Sequence, residues 1–166
     1  MLQRFANIPD DLRQSRKFAI IIFCNHIYSL MTYKLGIKIV NNTDDALRVI
    51  ERTCWHYANG ATWTEDNVLE MGGNGTSGML RIKASPGDTF SVIVGFHNYN
   101  PWCDAQVDLQ TDDTAVKLHP EYYNGGRLSG EASAGVTRTT SSGKTVKVQF
   151  HALPDGPVFI PIVTYS

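Results

Sequence analysis

From Tyr33 onward, apolar and polar residues alternate in short runs, and turn-forming residues interrupt the alternation every few positions. In Tyr33–Val40, Leu35, Ile37 and Ile39 interleave with Lys34, Gly36 and Lys38, and Asn41-Asn42-Thr43-Asp44 then turns the chain. Period two is the spacing of a strand with one buried face, and its recurrence between closely spaced turns predicts an all-β sandwich or barrel. Further strands are expected at Leu47–Tyr57, Val68–Met71, Met79–Ala84 and Thr89–Gly95, the last with Phe90, Val92 and Val94 on one face. Asn59-Gly60 turns the chain towards a neighbour carrying Trp63, because both residues tolerate φ > 0. Gly72–Gly78 reads as a loop that packs no core, and Ser85-Pro86-Gly87-Asp88 as a turn. Phe96–Cys103 reads as a second loop, followed by short β segments at Ala105–Leu109 and Ala115–Leu118. His119–Gly135, rich in Gly, Ser and Tyr, predicts an irregular excursion with a helical turn around Pro120–Tyr123. Val136–Thr140 and Thr145–Ala152 form a hairpin across Ser141-Ser142-Gly143. Val158–Tyr165 closes the domain, and Pro161 should confine that strand to an edge or a bulge. No strand alternates with a long amphipathic helix, which disfavours a parallel α/β fold.

A chain of 166 residues suffices for one domain with a hydrophobic core and is short for two. Its formal net charge of −1, with both signs interspersed, leaves no electrostatic footprint for nucleic acid or an anionic membrane surface. Cys24, Cys54 and Cys103 are an odd count without CxxC spacing, which suggests buried thiols and neither a disulfide framework nor a zinc site. Residues 1–30 read differently from the rest. Phe18-Ala19-Ile20-Ile21-Ile22-Phe23-Cys24 follows Arg13, Arg16 and Lys17, the basic-then-apolar order of a signal peptide. The run is short, no small-x-small cleavage site follows, and it falls well below the ~20 residues of a membrane span. The favoured expectation is that Met31 is the natural start, with 1–30 an N-terminal extension and 31–166 the folded domain.

A sugar is a ring of hydroxyls with one apolar face, so its site needs short polar side chains, exposed amides and usually a ring. Tyr57-Ala58-Asn59-Gly60, Asn74-Gly75-Thr76 and His97-Asn98-Tyr99 each directly follow a predicted strand, and such loops can converge at one end of a sandwich. Each alone is also an ordinary turn. Catalysis would require a pair such as Cys103 with His97, or two carboxylates drawn from Glu51, Glu65, Asp66 and Glu70. Neither set carries a recognisable local signature, so no enzyme is expected. His56, His119 and His151 lack a spacing that would place two ligands on one metal, and nothing implies a cofactor.

The run Glu51-Arg52-Thr53-Cys54-Trp55-His56-Tyr57-Ala58-Asn59-Gly60, followed by Thr62-Trp63, resembles the fungal fruit-body lectin family. Met71–Gly78, His97-Asn98-Tyr99 with Trp102-Cys103-Asp104, and Glu121-Tyr122-Tyr123 continue the resemblance in order and at similar spacing, so that it covers Met31–Ser166 nearly whole. The resemblance implies an all-β, actinoporin-like antiparallel β-sandwich with a short helical or irregular excursion, assembled as a homo-oligomer, a tetramer or dimer. It also implies a site for the Thomsen–Friedenreich disaccharide Galβ1-3GalNAc on Ala58, Asn59, Asn74, Gly75, His97 and Asn98, with Tyr99 adjacent. The family usually has Ser where this chain has Asn74.

A second family site, for N-acetylglucosamine, would fall on Asp104, Ala105, Val107 and Arg127, with Val136 at the position of a family Tyr. Ala105 replaces an Ile and Val107 a Thr, so hydroxyls are missing and this site should be weakened or lost. The kinship with actinoporins raises membrane lysis through an N-terminal amphipathic helix in residues 10–30. Phe18–Cys24 is a continuous apolar run and not a helical stripe, so membrane insertion is not expected. Asn41-Asn42-Thr43 and Asn74-Gly75-Thr76 are N-x-Thr acceptors, and a glycan on Asn74 would stand in the proposed binding loop. A cytoplasmic, defensive protein is therefore expected.

Overall fold

The computed structural model describes residues 33–56, 60–152 and 159–166. The first predicted strand divides at Ile37 into β1 (Tyr33–Gly36) and β2 (Lys38–Asn41), and the two halves join different sheets. β1 lies beside β5 (Val68–Met71), which pairs with β4 (Ala61–Trp63). β2 runs parallel to β11 (Phe159–Tyr165), and β10 (Thr145–Ala152) and β9 (Gly135–Thr139) complete a sheet of order β2-β11-β10-β9. The third sheet, β3-β6-β7-β8, contains β3 (Ala46–His56), β6 (Thr76–Ser85), β7 (Thr89–His97) and β8 (Asn100–Gln106). Every described pairing except β2 with β11 is antiparallel.

The main core draws on all three sheets. It joins Leu35, Leu69 and Met71 to Leu80, Ile82, Phe90, Val92 and Val94, and these to Val146, Val148, Val163 and Tyr165. Gly72–Gly78 is only partly a loop, because Thr76, Ser77 and Gly78 belong to β6 and are buried. Gly78 is required for contact: a Cβ there would stand 2.5 Å from Trp63 Cζ2 and 2.8 Å from Leu69 Cδ1. These residues carry no apolar signal, yet the packing needs them small. β11 is internal, contrary to the edge position expected from Pro161. The ladder to β2 begins only at Ile162, opposite Lys38, so Pro161 sits one residue beyond the paired stretch.

The opposite face of β6 and β7 is also covered. Met79 and Ile93 pack against Ala115 and Leu118 of helix α1 (Ala115–Leu118), Tyr122 of a 3₁₀ turn (His119–Tyr122), and Leu128 from the segment that follows. Ala115–Leu118, read as a strand from its sequence, is therefore helical. The buried positions Ala115 and Leu118 are three apart, which suits a helix face, but four residues are too few for period two and period 3.6 to be told apart. Thr114 caps the helix, its Oγ1 accepting from the Lys117 N–H at 3.3 Å, and the Glu51 carboxylate accepts from the Ala115 N–H. Glu51 also pairs with the buried Arg81 guanidinium at 3.0 Å, which donates in turn to the Gln110 carbonyl at 2.8 Å.

His119 fastens this layer to the sheet. It is 1% exposed, and its Nδ1 and Nε2 lie 2.7 Å from Thr53 Oγ1 and 2.8 Å from Ser77 Oγ. Ser77 Oγ is hydrogen-bonded in turn to the Tyr123 hydroxyl. With a hydroxyl at each ring nitrogen, a neutral imidazole donates at one and accepts at the other. Burial lowers the His119 pKa from 6.5 to about 4.

Between those two values the unfolded chain binds a proton that the folded chain does not. Stability is thus complete above pH 6.5 and falls as the pH drops towards 4, by up to about 3 kcal/mol. Urea titrations at pH 7 and pH 4.5 should show this loss, and His119→Gln should shrink the difference; an equal loss in both proteins would refute the assignment. Gly78→Ala should lower stability by about 1–3 kcal/mol through overpacking, read in the same titration.

Candidate functional site

The segment read as a loop at Phe96–Cys103 is a tight hairpin. β7 and β8 pair down to His97 opposite Asn100, leaving Asn98 and Tyr99 as a two-residue turn with φ of 49° and 64°. Two positive φ values define the type I′ geometry whose twist matches the flanking strands. Asn adopts this conformation readily, whereas a bulky residue such as Tyr99 does so at some strain. Two side chains hold the turn: Asn74 Oδ1 accepts from the Tyr99 N–H at 3.2 Å, and Asn100 Nδ2 donates to the Asn98 carbonyl at 2.9 Å. The Gly75 N–H donates to the Phe96 carbonyl at 2.8 Å, extending the β6–β7 ladder by one bond. Gly75 does so at φ 82°, a conformation glycine adopts without steric penalty.

Asn74, Gly75, His97 and Asn98 are thereby brought together at one end of the sheet, on the wall of a cleft of about 830 Å³. Tyr99 stands beside it, 70% exposed. Ala58 and Asn59 lie outside the described residues. The strand that leads to them ends with His56 opposite Thr76, next to Gly75.

The far wall comes from residues that the sequence reading did not assign to the site. Trp102 on β8 and Tyr122, Tyr123, Asn124, Ser129 and Ala132 from the covering segment line it. Tyr123 stacks on Trp55 with centroids 5.2 Å apart, and Trp102 lies 5.9 Å from Tyr122 at a tilt. Gly95 makes room for the indole, since a Cβ there would approach Trp102 Nε1 to 2.8 Å. Trp102 and Tyr122-Tyr123 fall within motifs that carry the family resemblance, which was the available signal. Among the described residues no Asp, Glu, Lys or Arg lines the cleft, so it suits a neutral ligand with both apolar and hydroxyl-bearing surfaces.

The residues of the expected second site are brought together only in part. Asp104 is completely buried and accepts from the Tyr122 hydroxyl at 2.7 Å, Gln106 Nε2 at 2.8 Å and Arg138 Nη2 at 2.9 Å. Burial and this carboxylate push the Tyr122 hydroxyl pKa upward. Ala105 and Val107 line a smaller cavity of about 300 Å³ together with Glu131 and Arg138. Arg127 is not on that lining; its Nε lies 4.0 Å from Glu121 Oε2. Arg138, which also pairs with Glu131 at 2.7 Å, is the cation at this cavity. Counting along the chain does not reveal that, because β9 brings Arg138 alongside β8 only in three dimensions.

The thiol-and-base pair considered from sequence is not assembled. Cys103 is buried in the main core, and burial, followed by the negative charge of Asp104, pushes its thiol up to about 12. A thiol with that pKa supplies almost no thiolate nucleophile near neutral pH. His97 is exposed on the hairpin.

A family model for the fungal fruit body lectins matches residues 31–162. Boletus edulis lectin is 41% identical over 101 residues, which span 58% of this chain and 71% of that relative. Wild-type Xerocomus chrysenteron lectin, solved by X-ray crystallography, is similar with a TM-score of 0.75 at 34% identity, over 82% of this chain and all 100% of that one. A mutated form of the same lectin gives a TM-score of 0.75 at 35% identity, over 82% and 99% of the two chains. The matched family and these relatives are lectins, not enzymes. From the family match across most of its length and the sandwich it shares with a solved lectin, the chain belongs to the fungal fruit body lectin family.

Proposed function

We propose that this carbohydrate-binding protein recognises glycans bearing Galβ1-3GalNAc, and that the cleft beside the Asn98-Tyr99 turn receives the disaccharide. The observation that carries this reading is the convergence of Asn74, Gly75, His97 and Asn98 on one cleft wall that has no charged side chain among the described residues. His97 and Asn98 are exposed and supply an imidazole and an amide to sugar hydroxyls. Asn74 acts partly through the turn, because its amide oxygen is engaged by the Tyr99 N–H. Ala58 and Asn59, which lie outside the described residues, are the remaining members of the proposed site.

Shallow sugar sites hold one ligand at roughly millimolar to micromolar Kd. Linking several sites can raise apparent affinity by ~10²–10⁴, so the protein works as a homo-oligomer, a tetramer or dimer, that cross-links glycan-bearing surfaces. Its place is cytoplasmic and its role defensive, exercised after cell damage. Supporting this, Thr76 of the Asn74 acceptor triplet is buried and Asn74 is engaged in the turn, so glycosylation there would disrupt the cleft. The N-acetylglucosamine site of the family is weakened, because Val107 offers no hydroxyl and the Asp104 oxygens are taken by Tyr122, Gln106 and Arg138. Membrane lysis remains the rival; among the described residues no helix is long and apolar enough to cross a membrane.

Calorimetric titration should show Galβ1-3GalNAc binding that His97→Ala and Asn98→Gly each weaken about 2- to 10-fold, the worth of one neutral hydrogen bond. Asn98→Gly keeps the left-handed backbone and so isolates the side chain. A glycan array without galactose-type hits, or dye release from liposomes without sugar inhibition, would defeat the reading. Chitobiose should give no measurable heat with the natural chain, and Val107→Thr should move it towards binding; clear chitobiose binding by the natural chain would contradict the loss of the second site.

A further inference from the structure

The residues assigned to the disaccharide occupy one wall of the cleft, and the cavity continues without a break to Trp102, Tyr122, Tyr123, Asn124, Ser129 and Ala132. We propose that this far wall is an additional subsite that takes one more neutral pyranose of the same glycan. The inference rests on reading the cleft as the disaccharide site.

The wall is a built surface. Tyr123 is held from beneath by Ser77 Oγ, itself bonded to the buried His119 at 2.8 Å, and from the side by the Trp55 ring at 5.2 Å. The chain then doubles back through Gly126, where a Cβ would meet the Glu121 carbonyl oxygen at 2.4 Å. Backbone hydrogen bonds from Gly126 to Tyr123 at 2.9 Å, Leu128 to Glu121 at 3.0 Å and Ser129 to Gly126 at 3.0 Å fix the reversal. It sets Asn124 and Ser129 beside the aromatic residues on one wall.

The chemistry of that wall matches a pyranose. Aromatic rings cover the apolar C–H face of a sugar, while an amide and a hydroxyl serve its equatorial and axial oxygens. Charge decides between neutral and acidic extensions. Among the described residues the lining holds no Lys or Arg, and the Arg127 guanidinium lies against Glu121 at 4.0 Å. A sialic acid carboxylate entering here would find no cation among the described residues, and its desolvation would be uncompensated.

The test is calorimetry on the full chain. The ligands are Galβ1-3GalNAc, neutral trisaccharides that extend it at either end, its sialylated form, and the disaccharide carried on a short glycopeptide. One neutral trisaccharide should bind about tenfold more tightly than the disaccharide, as two further neutral hydrogen bonds allow. Ala132→Phe, which fills the far end from an exposed position, should erase that gain and leave disaccharide affinity within about twofold. The pair Asn124→Gly with Ser129→Ala should do the same, and glycine accepts the 54° φ of Asn124 without strain. Disaccharide binding with no gain from any neutral trisaccharide overturns the subsite while sparing the disaccharide reading. So does a gain confined to the sialylated form or the glycopeptide, or one that survives both variants. Failure of the disaccharide itself to bind overturns the reading of the cleft and the subsite with it.

Discussion

Burial of the β3-β6-β7-β8 sheet on both faces is the constraint from which the rest of this molecule follows. Its inner face packs against the two other sheets through Leu80, Ile82, Phe90, Val92 and Val94. Its outer face carries Met79 and Ile93, which must also leave water, and α1 with the 3₁₀ turn closes over them. Apolar burial of this kind is worth roughly 25 cal/mol per Å², so the covering segment is held even though its helices are only a few residues long and could not persist alone. Where that segment leaves the sheet, beyond Tyr123, the cleft opens against the β7–β8 hairpin.

Covering a sheet on its second face also buries polar groups, and each of them needs a partner. His119 lies between Thr53 and Ser77, Arg81 is matched to Glu51 and backbone carbonyls, and Asp104 collects Tyr122, Gln106 and Arg138. Each of these clusters ties the covering segment, or β9, to a strand of the sheet. Removing one partner would strand the other in a low-dielectric interior, a penalty of about 1–3 kcal/mol and more for a charge. The same groups border the two cavities: the His119 relay ends on Tyr123 in the cleft, and Arg138, bonded to Asp104, lines the smaller cavity.

The cleft combines a fixed wall with a strained turn. Tyr99 keeps a positive φ because the type I′ hairpin demands one there, and Asn74 and Asn100 hold that geometry from outside the turn. A residue at position 74 therefore has two tasks, facing the cleft and bonding the turn. Serine, usual in the family at that position, has a shorter reach than the Asn amide. The Asn74 carbonyl is what spans the gap to Tyr99 in this chain.

Much of this was legible in the order of residues. Alternation of Leu35, Ile37 and Ile39, or of Phe90, Val92 and Val94, is local information, because a strand with one buried face imposes period two on the residues themselves. Gly75 and Asn98 were legible as turn residues for the same reason, since positive φ restricts residue type locally. Other features could not be read locally, because the neighbour that decides them is distant in the chain. Ile37 separates β1 from β2 because two different sheets claim its flanks, and Ala115–Leu118 is a helix because Met79 and Ile93 require a cover there. Gly78 must be small only because Trp63 and Leu69 lie above it. Arg138, 34 residues from Asp104, meets it at 2.9 Å because the packing of two different sheets sets β9 beside β8. The sequence by itself determined most strands and turns and the polar residues of the candidate site; tertiary packing decided the hairpin that carries them and the far wall of the cleft, which faces it because the sheet's second face had to be buried.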